Sequence, residues 1–470
     1  MDKELLKPTE ISIKDKKKLI KGNILRAALF ARSKVVEVMT ENNDRYYLIY
    51  YKNALIYGEQ LTQTTEGTFI EKAFQNGIAL KAPNPMLSTF IPSLNVTIPN
   101  KNKLFSQLQL HYSLQEVAYI ATTLDSFFEK NQLIPMIDKI YYHLRRSGKF
   151  MKSFQIIQIL SEFSPDLKSA KDRSESHEYF SYHDFYKTSS LPAILKKDPL
   201  YVELYCFKNR LNPDKHKFLE EILTQQDCTV EVILLWLERV VKLQVMESVE
   251  KYTALALQCF IMEEWMLILS EVNMNPFQIL PEAKSLIEKM ITKGNNEKAA
   301  LYLFPFLDDL PHSYELILSS IWEYSDPKFV FIHLDNFLVL LQKFPEHNKT
   351  THLEQKMFQL VILLLKEHDL QTVRDILLPV NKAFSQLNVF EKINKMAGLE
   401  EDPDRMMELG DYYAEFHQYD KAIDCFFWEM ELQPQNPVPV QKISKMYQKK
   451  GMVKEAAAYQ KISDQLSHTG

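Results

Sequence analysis

The chain has 470 residues, 46% of them hydrophobic, and a formal net charge of −5. That length allows two to four ordinary domains or one long solenoid, and the apolar share is ample for a buried core. Ten glycines, against a usage of about 7% in average proteins, leave little for phosphate-cradling loops or tight β-turns. The four cysteines, Cys206, Cys228, Cys259 and Cys425, lie too far apart to pair as metal ligands and are too few for a disulfide framework.

Charge is concentrated at the start. Residues 1–35 hold ten Lys and Arg against four acids, about +6, which leaves about −11 for the rest. The N-terminus lacks the apolar core of a signal peptide, and no run approaches the ~18 apolar residues of a membrane span. A soluble cytoplasmic protein is the expectation. Asp15 to Val38 reads as a basic amphipathic helix, with Leu19, Ile20, Leu25, Ala28 and Leu29 near one another. Its Lys16 to Lys18, Arg26 and Arg32 could contact phosphates of nucleic acid or anionic lipid. No nucleic-acid-binding motif accompanies them, so a solvated helix face is the simpler reading and nucleic acid is not the expected partner. Arg45 to Tyr51 and Ala54 to Tyr57 are rich in β-formers and predict a short hairpin. Residues 81–103, with Pro83, Pro85, Pro92 and Pro99, predict an extended loop around a short strand at Leu94 to Ile98. Residues 1–112 therefore read as a small mixed α+β segment.

From Ser113 the pattern turns helical. Ser113 and Glu116 form a capping box that opens a long apolar helix. Residues 166–192, rich in charge, Ser, His and Tyr, read as a linker or irregular loop. Beyond them, helices are punctuated at Asn212-Pro213, Asn275-Pro276, Pro281, Pro311, Asp326-Pro327, Phe344-Pro345 and Pro379.

The clearest pattern lies near the C-terminus. Met406, Leu409, Gly410 and Tyr413 are followed by Ala422, Phe426 and Pro434. In the next stretch Ile443, Tyr447 and Ala456 take the places of Leu409, Tyr413 and Ala422, and Gly451 falls in the turn between two helices. Small residues let helices approach, and the large ones fill the space between them. Weaker copies lie upstream. Gly148 is followed by Ser153 and Pro165, and Gly294 by Ala299 and Pro311, at the same two offsets. The candidate units are 134–167, 280–313, 403–436 and 437–470. A further segment, 354–387, has Leu360, Leu364, Val373 and Leu377 but no small-residue signature.

This spacing resembles the tetratricopeptide repeat, W-x2-L-G-x2-Y then A-x3-F then P within 34 residues, with Met406 in place of the first aromatic. The resemblance implies a mainly α fold, an α-solenoid of helical hairpins over 113–470. It also implies a protein–protein interaction scaffold or adaptor, not an enzyme, that holds a partner peptide or helix without a cofactor. In such arrays the first helix of each hairpin lines the groove. Here that helix carries Lys442, Lys445 and Lys449 on one stripe, and its predecessor offers Met407, Asp411 and Ala414. Lys445 could hold a terminal carboxylate, although the Asn that accompanies such a clamp is missing.

Two rivals remain from the residues themselves. One is a regulator whose basic N-terminus binds nucleic acid. The other is a metal-dependent hydrolase or enzyme accessory, with His177, Glu178, His183 and Asp184 as ligands. Their spacing fits no standard ligand pattern, and a solvated linker is the plainer reading. No nucleotide-binding, nucleophile-elbow or H-E-x-x-H motif occurs.

Overall fold

The computed structural model describes residue 5 and residues 8–244, 246–343, 350–383 and 387–469. The turn at Phe344-Pro345, the end of the 354–387 segment and the basic residues Lys3 and Lys7 lie outside them. The chain divides into two compact units, Asp2–Met274 and Asn275–Gly470. It is mostly helical, with a sheet confined to the N-terminal part of the first unit.

The sheet has seven strands: β1 (Glu10–Asp15), β2 (Lys18–Phe30), β3 (Ser33–Thr40), β4 (Arg45–Tyr51), β5 (Ala54–Gln60), β6 (Ile78–Lys81) and β7 (Asn95–Thr97). Their order is β5-β4-β3-β2-β1-β7, antiparallel except for the parallel β1–β7 pair. A bulge near Leu25 divides β2, which pairs with β1 before it and with β6 after it.

The helix expected over Asp15 to Val38 is thus replaced by two hairpins. Their turns, at Lys16-Lys17 and Ala31-Arg32, place Lys16 and Ala31 at positive φ. Two-residue hairpin turns need such a conformation and usually take Gly or Asn for it. With neither present, the turns carry no sequence signal, and the apolar spacing imitates a helix. The hairpin expected at 45–57 is formed by β4 and β5. The short strand expected at Leu94 to Ile98 is β7, but a helix at Met86–Phe90 was not anticipated.

Ser113 and Glu116 close the capping box that opens the Leu114–Thr123 helix. One sheet face, through Val35, Ile49, Tyr51 and Tyr57, shares a continuous core with Val117, Ile120, Ile137 and Phe154 of the helices that follow. The strand-to-helix change near residue 113 therefore lies inside one packing unit, which runs on to Met274.

Residues 166–192 are not a loop. They form helices at Lys168–Ser174 and Phe180–Thr188 and a 3-10 turn at His177–Tyr179. Tyr179, Tyr182 and Tyr186 recur at helical spacing and gather around the ring of Phe154. Polarity between the tyrosines hid this stripe.

Further helices end in one shared turn. Gly148, Gly294, His417 and Gly451 take positive φ just after a helix, and so do Asp227 and Asn273. In each case the next residue's N–H bonds back five residues: Lys149 to Leu144, Asn295 to Met290, Gln418 to Tyr413, Met452 to Tyr447, Cys228 to Leu223 and Met274 to Leu269, at 2.8–3.0 Å. That bond satisfies a helix-end carbonyl, and at Gly148, Asp227, Gly294, His417 and Gly451 the chain turns back onto the preceding helix. The units read at 134–167, 280–313, 403–436 and 437–470 each contain one such turn. The turns at Asp227 and Asn273 escape a glycine-based search.

Candidate functional site

The C-terminal hairpins are built from Met406–Glu415 with Tyr419–Leu432, and Pro437–Lys449 with Val453–Thr469. Leu409, Gly410, Tyr413, Ala422, Phe426, Ile443 and Ala456 are buried. Tyr447 is half-buried and stacks on Tyr459 at 5.4 Å, while Pro434 lies exposed after the second helix. Gly410 faces the ring of Phe426 so closely that a Cβ there would sit 2.5 Å from Cε1. Ser444 donates from Oγ to the Ala456 carbonyl at 2.7 Å, tying the last two helices together. Asn436 caps the Pro437–Lys449 helix by accepting from the Val438 N–H.

The hairpins are laced by side chains. Lys442 Nζ lies 2.6 Å from both carboxylate oxygens of Asp411 and 5.3 Å from the centre of the Phe426 ring. Lys450 pairs with Asp420 across the two turns. Lys392 of the Asn388–Leu399 helix pairs with Glu415. Gln418 and Lys421 donate to the carbonyls of Ile362 and Leu365, and Phe416 stacks on Phe358 at 5.0 Å. Burial pushes the Cys425 thiol up to about 11, so it stays a neutral packing group near pH 7.

The sequence-predicted groove residues are placed as follows. Asp411 and Lys442 meet one another across the interface between hairpins. Met407 is half-buried beside them in sequence. Lys449 is exposed with Nζ 5.6 Å from the Tyr419 ring centre, and Lys445 is exposed with no ion pair among the described residues. The face is therefore of mixed sign, with two of its three lysines open to a partner. The Lys442–Asp411 contact had a sequence signal, because residues 31 apart in adjoining 34-residue units sit almost level.

The alternative sites are dispersed. His183 Nε2 lies 2.9 Å from the Ser174 carbonyl and its ring meets Phe154 edge-on, while Glu178 pairs with Arg145 at 3.1 Å. No group of three or more His, Cys, Asp or Glu able to hold a metal occurs among the described residues. In the basic N-terminal segment, Arg26 pairs with Glu37, Arg32 with Glu203, and Lys34 with Glu231 at 2.7 Å. Lys34 also donates to the Phe90 carbonyl at 2.9 Å. These three cations fasten the sheet internally and to the following helices, and are not free for phosphate.

No protein-family model matches the chain, and no curated protein matches it. Among solved structures, two crystal structures of MamA align at 20% and 19% identity. They cover 39% and 40% of this chain and 95% and 94% of their own, with a TM-score of 0.17. A superposition at that score does not define a common fold. No helix among the described residues is long and apolar enough to cross a membrane.

Proposed function

We propose that the chain is a protein–protein interaction scaffold of tetratricopeptide-like hairpins, and that its C-terminal hairpins hold an extended peptide or helix of a partner. One observation carries the reading: two consecutive hairpins, their turns at His417 and Gly451, repeat the same turn bond and bury small residues at matching positions, Gly410 with Ser444 and Ala422 with Ala456. Their first helices leave Asp411, Lys445 and Lys449 exposed. Stacked hairpins of this kind offer a surface and no reaction chemistry. Binding rather than catalysis, without a cofactor and in the cytoplasm, belongs to the same proposal.

The partner segment should carry a carboxylate for Lys445 and Lys449, with a neutral or weakly basic stretch beside the Lys442–Asp411 pair. The test compares co-purified proteins for the full chain and its Lys445→Glu/Lys449→Glu variant, with circular dichroism as the folding control. Loss of a specific partner that is regained when its acidic segment is charge-reversed supports the site. Equal capture by a folded variant rejects it. Exposed helix positions tolerate such changes within about 0.5 kcal/mol, so unfolding does not confuse the result.

A further inference from the structure

Among the described residues of 1–35, five lysines are left after the internal ion pairs are assigned. Lys14, Lys16, Lys17, Lys18 and Lys21 are all exposed, and all lie on or beside the β1–β2 hairpin. Over 14–21 the only acid is Asp15, so the tip carries about +4. Asp15 sits directly opposite Lys18, while Lys14 sits opposite Leu19. None of the five lysines has an ion pair within reach among the described residues.

Alternation along the strands sorts these residues. Ile11, Ile13 and Ile20 face inward, with Ile13 opposite Ile20. Ser12, Lys14, Leu19 and Lys21 therefore share the outer face, and Thr97 and Asn95 of β7 flank Lys14 and Ser12 on it. Glu10, an acid on the same face of β1, is four residues along from Lys14, about 13 Å away, and lies diagonally across from Lys21 at about 7 Å, beyond hydrogen-bond reach at the far edge of the patch. Leu19 is 67% exposed in the middle of the lysines.

We propose that this hairpin is a peripheral docking site for an anionic lipid bilayer, with Leu19 entering the interface and the surrounding lysines meeting headgroup phosphates. Both halves of that chemistry are on one surface. Each lysine near an anionic leaflet contributes about 1 kcal/mol, roughly a fivefold gain in partitioning, and a polybasic cluster binds stably only together with an apolar anchor. Nucleic acid is the other phosphate-bearing surface. It is disfavoured here because the face has no aromatic ring to stack on a base and no arginine to read one. An exposed leucine amid lysines has a use at a bilayer interface and none along a duplex backbone.

The test uses the full chain and vesicles of phosphatidylcholine alone or with 30% phosphatidylglycerol, by co-sedimentation. Expected is binding to the anionic vesicles only, lost as salt rises beyond about 0.5 M, where screening shrinks to a few ångströms. Lys14→Glu/Lys17→Glu/Lys21→Glu should weaken partitioning at least tenfold. Leu19→Ser should weaken it several-fold with the charge unchanged. Leu19→Trp supplies a second readout, a blue-shifted emission increment on adding anionic vesicles. All four positions are exposed, so circular dichroism should not change. No binding to anionic vesicles overturns the proposal, and so does equal binding by the folded triple variant. Tighter binding to duplex DNA or RNA, indifferent to Leu19→Ser, also overturns it and assigns the hairpin to nucleic acid.

Discussion

Gly410→Ala tests the packing of the C-terminal hairpins most directly. The new Cβ would lie 2.5, 2.9 and 3.0 Å from Cε1, Cδ1 and Cζ of Phe426. Carbon atoms rest at about 3.5–4.0 Å, so the ring must retreat by about 1 Å. Phe426 is 0% exposed and has no solvent to retreat into. Overpacking of this kind costs about 1–3 kcal/mol. Against it stands the higher helix propensity of alanine, about 1 kcal/mol in a helix interior. The two nearly cancel at the low end, so the net expectation is a loss of about 1 kcal/mol, up to about 2.

For the unit Asn275–Gly470 that corresponds to a fall of roughly 2–8 °C in its thermal midpoint. Hydrogen exchange of the full chain should localise the loss to 406–432. The companion is Phe426→Leu, which removes the ring that the Cβ strikes. Alone it should destabilise by leaving space, but in the double variant the clash is gone and Gly410→Ala should become stabilising by the helix-propensity gain of about 1 kcal/mol. The coupling, about 2 kcal/mol, isolates this one contact. Stabilisation by Gly410→Ala alone, or absence of coupling, would refute the close approach of these helices.

Other expectations are simpler. Gly451→Ala meets no atom within 4 Å but sits at φ +78°, so it should lose about 1 kcal/mol through backbone strain alone, with no coupling to neighbours. Glu203→Ala should destabilise the first unit by about 3 kcal/mol in urea unfolding, because it strands Arg32 half-buried and leaves Gln226 without its acceptor. Burial pushes Lys356 down to about 8, where it donates to the carbonyls of Trp322 and Glu323. Between that value and its ordinary 10.5 the unfolded chain holds the proton more firmly than the folded one. Stability of the second unit should therefore rise as pH climbs from 8 towards 10.5, and Lys356→Met should remove that increment; a pH response identical in the two proteins would contradict it.

What the sequence disclosed depended on whether a feature had a local signature. The hairpin of β4 and β5 was legible because aromatic and branched residues surround a short turn. The capping box was legible because both of its partners lie within one turn of helix. The strands β1 to β3 were not, since Lys16 and Ala31 do at a turn what glycine or asparagine usually does. The ion pairs of Arg32 and Lys34 were beyond reach for a different reason. Their partners, Glu203 and Glu231, come close only once the sheet has packed on helices far along the chain. A basic run in sequence thus splits in the fold into cations consumed internally and lysines left at a hairpin tip.

The same division governs the proposed groove. Periodicity correctly put Lys442, Lys445 and Lys449 on one helix, but periodicity concerns a single element. Whether a charge is available depends on the neighbouring hairpin, and there Asp411 engages Lys442 with both oxygens. That pair is only partly buried, with side-chain exposures of 27% and 55%, so its contribution to stability is small, of the order of 0–1 kcal/mol. Its larger effect would be on the proposed recognition. A partner carboxylate can reach Lys442 only by displacing Asp411, an exchange of one ion pair for another with little net gain. Lys445 and Lys449 carry no such cost, which is why the discriminating variant reverses those two and leaves Lys442 in place.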